Sequence, residues 1–203
     1  MTGGRGCLLA ASLSMALTAC AQPAPPGRPG AVVEARDELS PRFIGLIGPE
    51  AQHAAPFLDI PGTNFYCLRS FLDRQTGEVE HQLYVSDSYF GAERDWSAAH
   101  DGTGRPLPFV HISREEITCD GGCSYVEEFA ATLPESALRA SPNGLAVTFL
   151  ARSGEEKIIL VSGERIAAQL AASDAKRTPV QPASALAEPA SPERSAVHQS
   201  VYP

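Results

Sequence analysis

A cysteine pair four residues apart, Cys119-Asp120-Gly121-Gly122-Cys123, is the sharpest chemical signal in the chain. A C-x-x-x-C pair suits a thiol redox centre, a copper site or a structural disulfide. Redox cysteines of this kind sit at a helix N-terminus, which lowers the thiol pKa, whereas here strand-like sequence flanks both cysteines. A three-residue loop with glycine free to adopt a positive φ would set the two opposite each other, with Cα atoms about 5 Å apart, inside the range a disulfide tolerates. We therefore expect a Cys119–Cys123 bridge, with Cys67 buried in its own strand as a free thiol.

The histidines give weaker direction. His53, His81, His100, His111 and His198 show no H-x-H or H-x-x-x-H spacing that would aim two ligands at one metal from one element. A metal site would have to be assembled by the fold, for instance from His100 in a loop and His111 in a strand; the expectation is no metal and no cofactor. His81 falls on an apolar strand face, where a core role is the simpler reading. Ser86-Asp87-Ser88 lacks the flanking glycines of a nucleophile elbow and reads as turn material at a strand end. Gly102-Thr103-Gly104-Arg105-Pro106 opens no helix and so makes no phosphate cradle. Trp96 reads as a half-buried cover for the end of a β core rather than a ligand platform.

Carboxylates offer the remaining catalytic option. With a three-residue loop at 120–122, Glu115 would face Glu127 and Arg114 would face Glu128, with Glu116 alongside. Opposed like charges can raise one pKa, as in a glycosidase or a cation site. A solvated face on which Arg114 is shared among the acids accounts for the same residues.

The elements that must hold these groups are read from alternation and turns. Residues 65–72 (FYCLRSFL) and 79–85 (VEHQLYV) form a hairpin around Arg74-Gln75-Thr76-Gly77. Val79, His81, Leu83 and Val85 share one face of the second strand. Residues 107–118 and 124–132 form a second pair, and 145–151 and 157–161 a third around Ser153-Gly154. Successive hairpins with short links predict a mainly β fold, an antiparallel meander or β-sandwich-like domain. A short internal helix begins near a capping box at Thr132-Leu133-Pro134-Glu135 and runs to Ala140; a C-terminal helix capped by Ser162 runs to about Ser173, with Ile166 and Leu170 toward the sheet. Residues 43–58 are an edge strand or a packed loop, and 98–108 a surface loop.

At the amino terminus a short apolar run, residues 8–16, ends in Leu17-Thr18-Ala19-Cys20. The run is shorter than the ~20 residues of a spanning helix and has the shape of an export signal. Leu17, Thr18, Ala19 and Cys20 resemble, position by position, the motif of bacterial lipoprotein precursors. That resemblance implies removal of residues 1–19, a diacylglycerol on the Cys20 thiol and an acylated new amino terminus; with Ala21 rather than aspartate next, it implies the outer membrane. The region from residue 65 to about 173 also resembles uncharacterised proteobacterial lipoproteins, which carry no mechanism over. Residues 20–36, with Pro23, Pro25, Pro26 and Pro29, read as an extended tether, residues 37–176 as one domain, and 177–203 as a disordered Ala/Pro/Ser-rich tail.

The formal charge of −8 becomes −9 once residues 1–19, which hold only Arg5 among the charged residues, are removed. This acidity argues against nucleic acid as a partner. The expected protein is a lipid-anchored periplasm-facing binding or interaction module, with the membrane and a second envelope protein as partners. The competing expectation is an envelope hydrolase or metal-binding protein whose site gathers the scattered His and Glu residues.

Overall fold

The structure, a computed structural model, describes residues 30–36, 41–119 and 121–177. Cys20, His198, the signal, most of the tether and residues 178–203 lie outside the described residues. The chain order is β1 (Val33–Arg36), β2 (Phe43–Ile47), β3 (Ala51–Gln52), a 3-10 turn (Phe57–Asp59), β4 (Phe65–Asp73), β5 (Val79–Phe90), β6 (Trp96–Asp101) and β7 (Pro106–Leu107). It continues with β8 (Phe109–Thr118), β9 (Ser124–Leu133), α1 (Glu135–Arg139), β10 (Gly144–Ala151), β11 (Glu156–Ser162) and α2 (Gly163–Lys176).

The strands form two antiparallel sheets. One runs β1-β2-β4-β5-β9-β8, with β3 also on β4, and the other runs β11-β10-β6-β7. The fold is thus mainly β with two helices, as the alternation predicts. Leu83 and Val85 of β5, Phe129 and Ala131 of β9, Val147 and Phe149 of β10, and Ile159 and Val161 of β11 fill the space between the sheets. Phe129 packs edge-on against Phe149, with ring centroids 4.9 Å apart. Ile166 and Leu170 of α2 close this core, and the Ser162 hydroxyl accepts from the Arg165 N–H at 3.4 Å to start the helix.

Several expectations are corrected. Val33–Arg36, assigned to the tether, pairs with β2 as the outermost strand, so β2 is an interior strand rather than an edge. Residues 98–108 are not a surface loop: Trp96–Asp101 pairs with β10 and Pro106–Leu107 with β6, so His100 lies in a strand. Thr132 stays in β9 and does not cap α1, whose N-cap is Pro134 without a side-chain bond. Ser86-Asp87-Ser88 lies inside β5 instead of ending it, because β9 pairs along the full extension to Phe90. The β8–β9 register shifts between His111 and Ser113 and again between Glu116 and Thr118. Glu115 consequently opposes Val126, and Arg114 opposes Glu127 rather than Glu128. Such bulges, together with Arg114, Glu115 and Glu116, blunt β8 as an exposed edge.

Candidate functional site

The densest chemistry lies at one end of the core. On β5 the inward parity of His81, Leu83 and Val85 continues to Asp87 and Tyr89; on β9 the parity of Phe129 continues to Glu127. Asp87 and Glu127 are register partners across the β5–β9 ladder and are 2 % and 1 % exposed. Buried carboxylates demand donors, and each finds them within the chain. Asp87 Oδ2 accepts from Arg94 Nη1 at 2.7 Å and Trp96 Nε1 at 3.1 Å, and Oδ1 lies 3.0 Å from Lys157 Nζ. Glu127 accepts from the Tyr89 hydroxyl, the Asp95 N–H at 3.1 Å and the Trp96 N–H at 3.2 Å.

His53 completes this charged plug. Its Nε2–H donates to the Ser86 carbonyl at 2.9 Å, leaving Nδ1 to accept from Lys157 Nζ at 3.3 Å. Burial, and then the Lys157 ammonium, hold its pKa below the ordinary imidazole range. Burial and the adjacent Glu127 push the Tyr89 phenol up. With two carboxylates matched by Arg94 and Lys157 and every carboxylate oxygen engaged, the plug closes the sandwich and leaves no carboxylate for substrate. Trp96, expected to be half-buried, is 2 % exposed because it supplies donors to both acids.

A second array looks like a hydrolytic triad. Ser70 Oγ accepts from Gln169 Nε2 at 2.7 Å and donates to His81 Nδ1 at 2.7 Å, so the imidazole proton is on Nε2. That nitrogen faces Glu135 Oε2 at 3.8 Å, close enough for attraction and too far for a hydrogen bond. Burial lowers the His81 pKa, with Glu135 opposing. Arg177 and Arg139 hydrogen bonds hold the Glu135 carboxyl down to about 2. Ser70, however, is fully buried beneath α2, and a nucleophile must be reached by its substrate.

The other sequence candidates do not converge. His111, Glu115 and Glu116 are exposed on β8, while Glu128 turns to the opposite face from Glu127 and accepts from Ser113 Oγ at 2.9 Å. Cys119 and Cys123 form the expected disulfide, with Cα atoms 3.8 Å apart, one step beyond the Thr118–Ser124 pair. Gly121 and Gly122 take φ of 79° and 140°, which the loop requires. Glu116 lies beside the bridge, but both sulfurs are bonded to each other and cannot ligate as thiolates. Cys67 is a buried free thiol whose pKa burial pushes up to about 11.

Two open clefts flank α1. One, of ≈ 610 Å³, lies against the β6–β7 turn and is walled by Leu107, Leu133, Pro134, Ala137 and Leu145, with Asp101 and Arg105 at its rim. These two are paired at 2.7 Å. The other, of ≈ 630 Å³, lies over Phe43, Phe71, Val79 and His81, with Glu135 and Arg177 on its wall.

No family model, curated protein or solved structure matches the chain.

The plug was missed by motif reading because its members are scattered from residue 53 to 157. The available signal was strand parity: Asp87 and Glu127 occupy positions that the neighbouring apolar residues assign to the core.

Proposed function

We propose that this chain is a lipid-anchored envelope protein, held through Cys20 on the outer membrane and facing the periplasm, whose domain binds an envelope partner rather than catalysing a reaction. The observation that carries the binding reading is the internal commitment of the reactive groups. Asp87, Glu127 and His53 are engaged with the chain's own donors and acceptors, and Ser70 is sealed under α2. The open concavity beside α1, by contrast, is walled mainly by aliphatic groups. Its fit is to an apolar side chain or acyl group, since the Arg105 guanidinium at the rim is already held by Asp101.

The experiment is labelling of cells with a clickable fatty acid, followed by photocross-linking from position 137 of the tethered chain. Fatty-acid label that is lost in Cys20→Ser supports the anchor, and label retained in that variant overturns it. A discrete adduct from position 137 that disappears in Leu145→Glu supports binding in the groove. Turnover of an envelope substrate that depends on Ser70 or Glu127 would overturn the non-catalytic reading.

A further inference from the structure

The tip of the β8–β9 hairpin gathers three metal-ligating groups. A carboxylate oxygen of Glu116 and the sulfurs of Cys119 and Cys123 all lie within 4.8 Å of one another. Glu116 and Cys119 are exposed and Cys123 is half-buried, so the cluster is open to solutes. The Glu116 side chain has no hydrogen bond or ion pair among the described residues. Its neighbours on the hairpin do: Arg114 is held by Glu93 and Asp95, and Glu128 accepts from Ser113 Oγ.

While the bridge is intact the sulfurs are bonded to each other. Two electrons and two protons from a dithiol or phosphine reductant break the S–S bond and leave two thiols. The hairpin keeps them together, because Thr118 and Ser124 pair one step before the loop. Gly121 and Gly122, at positive φ with open space where a Cβ would stand, let the loop widen as the sulfurs part.

The spacing suits a borderline-soft divalent ion. Zinc-class ions take tetrahedral sites with bonds of about 2.3 Å to sulfur and about 2.1 Å to a carboxylate oxygen, which sets the ligand atoms about 3.5–3.8 Å apart. Three groups already inside 4.8 Å of one another reach that spacing by a small adjustment. Thiolates are not the ligands of calcium or magnesium, which take oxygen. We propose that this tip is a redox-gated site for a zinc-class divalent cation, with Cys119, Cys123 and Glu116 as ligands and water in the fourth position. Binding displaces the two thiol protons. In the reverse direction a disulfide oxidant accepts the electron pair and leaves as two thiolates, the S–S bond re-forms, and the cation is released. The site does not rest on the anchor or on the groove beside α1.

The test is a cadmium titration of the full chain carrying Cys7→Ser and Cys20→Ser, which leaves Cys67 as the one thiol outside the tip. Cys67 is buried, with its pKa pushed up to about 11, and stays protonated. The protein is reduced with a phosphine, freed of it under argon and titrated with Cd²⁺, and the thiolate-to-cadmium charge-transfer band is followed. The expected result is one equivalent bound by the reduced chain and none by the oxidised chain, with Zn²⁺ competing for that equivalent and oxidised glutathione releasing it. Glu116→Gln should weaken binding about tenfold or more, and Glu115→Gln, at the adjacent exposed position of β8, should leave it unchanged. Fluorescence of the buried Trp96, recorded in the same titration, should be the same before and after reduction. No stoichiometric uptake by the reduced chain, uptake by the oxidised chain, equal affinity in Glu116→Gln and its parent, or loss of the Trp96 signal on reduction would each overturn the site.

Discussion

Trp96 joins Asp87 to Glu127: its indole N–H donates to the first carboxylate and its main-chain N–H to the second. A single residue thus holds two acids on neighbouring strands, while Lys157 and Arg94 supply the opposing charge. The plug is a matched set, and its energetics follow from what each deletion leaves behind.

Removing the Asp87 charge leaves two part-buried cations without their acid. Asp87→Ala should lower stability by about 3–5 kcal/mol, as for other broken buried pairs, read from urea midpoints. Lys157→Met in that background should restore part of the loss. A double-mutant cycle with no coupling between positions 87 and 157 would refute the pairing.

Acid should weaken the fold before its carboxylates titrate. His53 and His81 both have depressed pKa values, chiefly from burial, and stay neutral in the folded state. The unfolded chain takes up their protons below about pH 6.5. Stability should therefore be full above that value and fall as pH drops through it toward 5, with a shallower fall in His53→Gln. Glu135, held to about 2, adds a separate loss that begins below about pH 4.5. Denaturant midpoints between pH 7.5 and 5 measure the histidine part alone.

The hairpin bridge should matter more for register than for stability. Closing so short a loop is worth about 2 kcal/mol in the chain-entropy model. Cys119→Ser with Cys123→Ser should leave a folded domain with a modestly lower midpoint. Unreduced peptide maps of the parent should show the 119–123 link and an unmodified Cys67.

At the start of α2, helix propensity and packing disagree. Alanine is a better helix former than glycine by up to about 1 kcal/mol, yet a Cβ at Gly163 would meet the Pro142 carbonyl oxygen at 1.8 Å. Gly163→Ala should destabilise, and a raised melting temperature would contradict the close approach of α2 to residue 142.

The three hairpins were legible because alternating apolar residues and glycine-bearing turns are local signals. Ser162 and the Ile166–Leu170 spacing likewise marked α2 correctly. Strand β6 was not legible: Ala98 and Ala99 have little strand preference, and Gly102, Gly104 and Pro106 imitate a loop until β10, some fifty residues later, supplies the partner. Ser86-Asp87-Ser88 misled for a related reason. Turn-forming residues stay extended there because Arg94, Trp96 and Lys157 satisfy the aspartate from distant parts of the chain. Charge matching of this kind is written in space and leaves no spacing to read. The β8–β9 register failed at its two bulges, which counting from the loop cannot foresee.

Lys176, in the last turn of α2, reaches Glu34 of β1 at 2.6 Å. The first strand and the end of the last helix among the described residues therefore lie side by side, level with His81 of β5. The plug lies six residues further along that strand, about 20 Å away. The domain is in effect a ring cut at one point. A short linker joining the two ends, with new termini opened at the exposed Ser153-Gly154 turn, should give a circularly permuted domain with the same core.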